Sequence, residues 1–159
     1  DYRDVQGQYD SIASIEMIEA VGEKYLNKYF SMIKNNLKAG GIGAIQAIII
    51  KDELFDQYRK SEDFIQKYIF PGGFLPSLQS IKEHTRKSGL QLTEYNSYGI
   101  HYSNTLKKWR ENFINSWSEI SKQGFDQSFK KIWDFYFSYC EAGFKSKNID
   151  LIQFSLFNK

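Results

Sequence analysis

The 159-residue sequence has little cysteine, proline or histidine, and it has no excess of charge of either sign. A single cysteine excludes an internal disulfide framework and is typical of a reducing compartment. The sequence has 21 Lys and Arg residues and 19 Asp and Glu residues. The resulting net charge of +2 provides no general electrostatic field for binding nucleic acid. We therefore expect a cytoplasmic protein whose partner is not nucleic acid.

Long hydrophobic runs are also absent. The longest, residues 40–50, is interrupted by Gln46 and is much shorter than the roughly 20 residues that span a bilayer. No basic-then-apolar leader of the secretory kind is present. The chain opens on Asp1 directly before a strand-like segment, so we expect that the opening half of a larger domain precedes it. Even so, 42% hydrophobic residues can bury a sizeable core.

Changes in hydrophobic period predict alternating strands and helices. A strand pattern over residues 9–16 precedes a helix pattern, which we expect Gly40-Gly41 to cap. The nearly continuous apolar run over residues 42–50 predicts a buried strand. The order strand, helix, strand indicates a right-handed βαβ unit with parallel strands.

The rest of the chain is interpreted in the same way. We predict a charged helix over 52–69, a helix from Ser77 to Gly89, a strand over 90–98, two long amphipathic helices over 101–147 broken near Gln123-Gly124, and a strand over 149–157. Residues 101–159 hold 14 of the 27 aromatic residues, and most of these rings at helical spacing are expected to form core. One α/β unit with added helices is the resulting prediction.

Two familiar kinds of site are not indicated. The glycines of residues 40–43 come before a strand, whereas a loop that holds a phosphate or cofactor follows a strand and opens a helix. His84, His101 and Cys140 lie far apart without ligand spacing, so no metal site is predicted. A Cys-His nucleophilic pair remains open, because sequence distance does not exclude one.

Two glutamates are more informative. Glu16 and Glu19 follow the first predicted strand, which should deliver them to the carboxyl edge of the sheet, where open α/β folds build their sites. They could equally be solvated acids at the start of the following helix, where negative charge is favoured.

Four separated motifs carry a family resemblance: Ser14–Gly22 (SIEMIEAVG), Gln46–Ile50 (QAIII), Tyr68–Ser77 (YIFPGGFLPS) and Tyr102–Trp109 (YSNTLKKW). In this order they resemble cyclopropane-fatty-acyl-phospholipid synthases, a family of S-adenosylmethionine-dependent methyltransferases. The resemblance continues to the end of the chain. It implies the C-terminal half of a Rossmann-like sheet, with the cofactor-binding first half absent from residues 1–159.

The resemblance also implies which residues meet the cofactor. Tyr2 and Arg3 match the position where the family approaches the adenine of S-adenosylmethionine, and Ser14 and Ile15 are further candidates. The glycine-rich loop that holds the methionine part would precede Asp1.

The reaction implied by the resemblance forms a cyclopropane ring in an unsaturated phospholipid acyl chain. The alkene attacks the sulfonium methyl, and the resulting carbocation must lose a proton. In this family, the base that removes the proton is a bound bicarbonate. The residues that hold it match Glu19, Gln46, Ile48 and Tyr102. Some members have His in place of Gln46. Gln can still donate and accept, so we expect the anion site to survive without an imidazole proton relay. A further family ligand, a cysteine, lies upstream of these residues.

Cys140 matches a cysteine that has been regarded as an active-site thiol in this family. Its helix face, shared with Phe129, Trp133, Tyr136 and Phe144, predicts burial instead, which makes a thiol a poor nucleophile. We therefore interpret Cys140 as structural, although the catalytic role stays open.

A lipid substrate implies contact with the inner face of the membrane. Residues 101–147 hold eight Lys and Arg against five Asp and Glu, a modest excess that fits an anionic lipid surface but is also typical of a solvated helix pair. An open sheet edge predicts association, such as a homodimer. Two alternatives to cyclopropane formation are a lipid or small-molecule C-methyltransferase that does not close the ring, and a non-catalytic lipid- or partner-binding domain.

Overall fold

The computed structural model describes residues 1–159 as one α/β unit. Its strands are β1 (Tyr9–Ile15), β2 (Leu37–Ile50), β3 (Leu90–Ser97) and β4 (Ile149–Asn158). Its α-helices are α1 (Leu26–Asn36), α2 (Asp52–Tyr58), α3 (Phe64–Tyr68), α4 (Leu78–Lys87), α5 (Gly99–Asn115), α6 (Trp117–Lys122) and α7 (Gln127–Lys145). Short 3-10 helices cover Tyr2–Asp4, Ile18–Ala20 and Glu23–Tyr25.

The four strands form one sheet in the order β1-β2-β4-β3. β1 runs parallel to β2, which confirms the predicted βαβ unit, whereas β4 is antiparallel to both β2 and β3. β1 is hydrogen-bonded on one side only, so it forms an edge of the sheet. The carboxyl ends of the parallel pair therefore open at the same end of the molecule.

The main core lies between α1 and the sheet. Leu26, Tyr29, Phe30 and Ile33 are fully buried, as their three-to-four spacing predicts. Alternate residues of β2, such as Ile45, Ala47 and Ile49, belong to the same cluster. Burying each large apolar side chain contributes about 1.5–3 kcal/mol, so this face fixes α1 and with it the ends of β1 and β2.

A second, smaller core joins the C-terminal helices to β4. Its buried members are Leu106 of α5, Phe137 and Phe144 of α7, and Leu151 of β4. Part of the aromatic excess thus has a packing role, as predicted. No helix in the structure combines the length and the apolar character needed to cross a membrane.

The expected helix cap at Gly40-Gly41 is wrong. α1 ends at Asn36, its cap residue Leu37 is already extended, and β2 begins there. The register of β1 against β2 shifts between Tyr9 and Ser11, and Gly40 absorbs the irregularity with a φ of 79°. These glycines therefore serve a bulge within the strand pair, where positive φ favours glycine.

Two predicted helices are interrupted. The charged helix over 52–69 divides into α2 and α3, because Asp63 starts a new helix through a capping box with Gln66. The first long C-terminal helix divides at Ser116 into α5 and α6. The helical spacing of the hydrophobic residues continues across both breaks, so this spacing alone does not reveal them.

Candidate active site

The four residues that the resemblance assigns to an anion site meet where β1 ends. Glu16 directly follows β1, and its backbone N–H donates to the Gln46 carbonyl at 2.9 Å. Gln46 and Ile48 lie on the adjacent strand β2, and Tyr102 reaches the same place from α5. Glu19, Gln46, Ile48 and Tyr102 are thus parts of one cluster around Glu16 at the carboxyl edge of the sheet.

Glu16 is the centre of this cluster. Its carboxylate accepts a hydrogen bond from the Gln46 amide at 2.7 Å through Oε1 and from the Tyr102 hydroxyl at 3.0 Å through Oε2. Its backbone has a φ of 50°, a left-handed conformation that is unusual for a residue with a side chain. Such strain persists only where the surroundings impose it, and it is concentrated at functional sites.

The Gln46 amide has a defined orientation. A carboxylate only accepts, so Gln46 must present its NH2 group to Glu16 and its carbonyl oxygen to the other side. There Gln153, the cross-strand neighbour of Gln46 on β4, donates to Gln46 Oε1 at 2.8 Å. The two glutamines form a chain of donors that ends on the Glu16 carboxylate.

Glu19 presents a second carboxylate beside the first. Its Oε1 accepts the backbone N–H of Ile48 at 2.5 Å, while its Oε2 is buried without a hydrogen-bond partner. Burial raises the pKa of Glu19, the bond from Ile48 counteracts part of this effect, and the charge of Glu16 raises the pKa further. Glu19 therefore holds a proton more readily than an exposed glutamate.

The Pro-Gly-Gly motif supports the segment that carries Glu19. The backbone N–H of Phe74 donates to the Glu19 carbonyl at 2.8 Å, just after the turn formed by Gly72, whose φ is 80°. Gly73 also faces the Phe70 carbonyl so closely that a Cβ would lie 3.0 Å from it. The motif thus has a positioning role in this structure.

Aromatic rings pack around Tyr102, whose hydroxyl donates to Glu16. Tyr102 packs against Phe144 at 5.0 Å and edge-to-face against Trp109 at 5.9 Å, measured between ring centroids. Burial raises the pKa of Tyr102, and the charge of Glu16 adds to the effect. Burial likewise raises the pKa of Tyr136, with smaller contributions from Cys140 and Glu16. Both phenols are therefore neutral at physiological pH, and Tyr102 acts as a donor to Glu16.

Cys140 lies in apolar surroundings on α7. It is half-buried and packs against the second core. Burial raises the pKa of its thiol to about 12, and the charge of Asp63 adds to the shift. A thiol of this kind is almost entirely protonated at neutral pH and is a poor nucleophile.

Cys140→Ser is expected to leave most activity of the full-length protein intact and to cost about 1 kcal/mol of stability, because a hydroxyl replaces a small apolar thiol. Alkylation of Cys140 by iodoacetamide at pH 8 should be at least about 100-fold slower than that of an exposed cysteine. Complete loss of activity at an unchanged melting temperature would instead identify a nucleophile.

The residues predicted to meet S-adenosylmethionine do not all share one pocket. Tyr2, Ser14 and Ile15 line an apolar hollow of about 370 Å³ beside the free edge of β1. Arg3 lines a neighbouring polar hollow and bonds through its side chain to Asp1. Within the core, Tyr29 donates to the Ser14 hydroxyl at 2.9 Å and fixes its position.

Sequence reasoning missed part of the cluster. It left the role of Glu16 undecided and passed over Gln153 and Tyr136. The available signal for Glu16 was its place directly after a strand, three residues before Glu19. Gln153 gave no signal, because its role depends on the antiparallel register of β4 with β2.

Comparisons with known proteins identify the family of this chain. The family described as mycolic acid cyclopropane synthetase matches residues 1–154. The tuberculostearic acid methyltransferase UfaA1 of Mycobacterium tuberculosis is 44% identical over 98% of the chain. The cyclopropane-fatty-acyl-phospholipid synthase of Escherichia coli K12 is 33% identical over 96%. The chain spans 37% and 38% of the lengths of these two relatives.

Solved structures show the same fold. The mycolic acid cyclopropane synthase CmaA1, crystallised with SAH and CTAB, superposes with a TM-score of 0.86 at 26% identity, covering 98% of this chain and 57% of that one. The cyclopropane synthase MmaA2 of Mycobacterium tuberculosis gives the same values. The α/β architecture, the ordered motifs and the family match lead to one conclusion: the chain belongs to the mycolic acid cyclopropane synthetase family.

Proposed function

We propose that the full-length protein transfers a methyl group from S-adenosylmethionine to the double bond of an unsaturated phospholipid acyl chain. The observation that carries this proposal is the pair of carboxylates, Glu16 and Glu19, among aromatic rings and without an ion pair to any Lys, Arg or His. Methylation of an alkene creates a carbocation, which negative charge and aromatic faces stabilise and from which a carboxylate can remove a proton.

Each residue has a distinct part in this proposal. Glu16 and Glu19 supply the negative potential that favours the cationic transition state. Tyr102 and Gln46 hold Glu16 in place, and the Ile48 N–H holds Glu19. Cys140 takes no part, since methyl transfer to an alkene needs no covalent enzyme intermediate.

Two products are compatible with the same first step. Loss of a proton from the new methyl group closes a cyclopropane ring, the product named for the Escherichia coli relative. Loss of a proton from the acyl chain leaves the methyl group as a branch. The higher identity to a tuberculostearic acid methyltransferase, 44% against 33%, favours this second candidate.

Deuterium labelling tests the proposal and separates the products. The full-length protein would be incubated with S-adenosylmethionine carrying a CD3 methyl group and with vesicles of an unsaturated phospholipid. Mass spectrometry of the released fatty acids should detect CD2 after ring closure and CD3 after branching. Lipid without deuterium would contradict the proposal.

The methyl donor would bind beside β1. Its adenosine would lie beside the carboxyl end of β1, where Ser14 and Ile15 are found, with Tyr2 and Arg3 as further contacts. S-adenosylmethionine would supply the electrophilic methyl group there. This chain would work as the C-terminal part of a longer methyltransferase, because the relatives exceed it greatly in length and the open edge of β1 can accept another parallel strand.

Bicarbonate does not fit the cluster as it stands. The donors of Gln46, Tyr102 and Ile48 already bond to carboxylates, and no cation compensates those charges. The unpartnered Glu19 Oε2 is itself an acceptor. We therefore derive no step through bicarbonate.

The lipid substrate determines where the protein would work. We propose that it is cytoplasmic and associates peripherally with the inner face of the membrane, where the basic excess of residues 101–147 would favour anionic lipid. A homodimer would be one way of covering exposed apolar groups such as Ile100, which is 51% exposed on α5.

Tyr102→Phe in the full-length protein should lower turnover about 10- to 100-fold, because a hydrogen bond to a charged group is worth about 1.5–3 kcal/mol. The ring still packs against Phe144 and Trp109, so the melting temperature should hardly change. Tyr98→Phe is the control, since the Tyr98 ring is exposed at the start of the same helix. Equal turnover of both variants would remove Tyr102 from the site.

A further inference from the structure

The donors that the family resemblance assigns to bicarbonate are occupied by the chain's own carboxylates. The Gln46 amide and the Tyr102 hydroxyl donate to the two oxygens of Glu16, at 2.7 and 3.0 Å. The Ile48 N–H donates to Glu19. An oxyanion with two acceptor oxygens thus already lies where a bound anion would lie, and it is covalently part of the protein.

Electrostatics oppose a third anion in this cluster. Glu16 is close enough for its charge to raise the pKa of Glu19, and neither carboxylate forms an ion pair. Bicarbonate would have to displace Glu16 from both donors and then lie between two carboxylates. Like charges at short range in a partly buried site make such binding unfavourable.

The backbone holds the Glu16 carboxylate in this position. Its left-handed φ of 50° and the bond from its N–H to the Gln46 carbonyl direct the side chain back over β2. Gln153 orients Gln46, so the amide donor is fixed before any ligand arrives. Each carboxylate oxygen keeps a further lone pair that can accept a proton.

We propose that Glu16 is the base of the reaction and replaces bicarbonate, so that this enzyme works without the ion. This inference rests on the proposed methyl transfer. The alkene π electrons form the new C–C bond while the S–CH3 bond breaks and leaves its electron pair on sulfur. A Glu16 oxygen then takes a proton from the new methyl group or the acyl chain, and the C–H electron pair forms the ring bond or a new double bond. Solvent later removes the proton from Glu16.

The decisive variant is Glu16→Gly in the full-length protein. Glycine tolerates positive φ, so this change removes the carboxylate without adding strain and frees the donors of Gln46 and Tyr102. In buffer stripped of carbon dioxide, wild-type turnover should be unchanged, whereas the variant should lose about 100-fold. Added bicarbonate should restore part of the variant's activity and leave the wild type unaffected.

Two further variants control this experiment. Glu16→Gln keeps the size of the side chain but not its basicity, so it should lose activity equally and show no restoration by bicarbonate. Glu94→Gln removes an exposed carboxylate from β3 and should behave as the wild type in both buffers. The Gln variant also keeps the test valid if the glycine variant does not fold.

A binding measurement separates this inference from the proposed function. Carbon-13 NMR of labelled bicarbonate should show saturable line broadening with Glu16→Gly and none with the wild type. Saturable binding by the wild type, or a wild-type requirement for bicarbonate, would overturn the inference while leaving methyl transfer intact. Absence of methyl transfer by the wild type would overturn the proposed function and with it the role of Glu16 as the base, whereas exclusion of bicarbonate by that protein would then support only the occupation of the anion site by Glu16.

Discussion

Glu19→Gln in the full-length protein is expected to lower turnover about 100-fold or more, the usual scale for loss of a positioned acid–base or electrostatic group. The amide oxygen can still accept the Ile48 N–H, so the segment keeps its place. What disappears is a buried negative charge beside Glu16, facing the site where positive charge would develop. Steady-state rates with unsaturated phospholipid vesicles measure the effect.

The same substitution should stabilise the fold at alkaline pH. Burial raises the pKa of Glu19 above its usual 4.5, so the folded chain binds the proton more tightly than the unfolded chain. The stabilising contribution of this carboxyl is therefore complete below pH 4.5 and is lost as the pH rises through the folded pKa. Glu19→Gln removes this pH-dependent loss, so at pH 8 the variant should unfold at a higher temperature than the wild type.

These opposite signs make the result interpretable. Lower turnover with a higher melting temperature at pH 8 would identify a residue selected for function at a cost in stability. Near-normal turnover would remove Glu19 from the mechanism. Lower turnover with a lower melting temperature would indicate damaged folding instead.

Residues 1–159 alone are expected to show no methyl transfer and no tight binding of S-adenosylmethionine. They supply the hollow beside β1, but they contain no glycine-rich loop between a strand and a helix. Calorimetric titration should therefore give no saturable heat, while the full-length protein under the same conditions should bind.

A circular dichroism spectrum of the same sample provides the control. A helical spectrum together with absent binding would locate the missing contacts outside residues 1–159. Tight binding of S-adenosylmethionine to this chain alone would contradict the proposed division of the site.

Local patterns predicted much of the fold. The spacing of Leu26, Tyr29, Phe30 and Ile33 identified the buried face of α1, and the apolar run of β2 identified a strand beside β1. Both predictions succeed because the pattern of apolar residues along the sequence determines which face of a helix or strand is buried. The position of Glu16 and Glu19 followed in turn, since parallel strands end at the same edge of a sheet.

What the sequence could not predict depends on contacts between distant segments. Gly40 was assigned to a helix end, because a bulge between β1 and β2 is visible only once the two strands are paired. The bonds from Gln46 and Tyr102 to Glu16 join residues 30 and 86 positions apart. The resemblance named residues that the structure brings into one cluster, but the groups that accept their hydrogen bonds are visible only in the three-dimensional structure.

The most direct test of the central claim is transfer of radiolabelled methyl from S-adenosylmethionine to phospholipid vesicles that differ only in acyl unsaturation. With the wild-type full-length protein, we predict label in the unsaturated lipid, almost none in the saturated lipid, and a loss of about 100-fold with Glu19→Gln. Equal labelling of both lipids, or no labelling of either, would contradict the assignment of this site to methylation of an alkene.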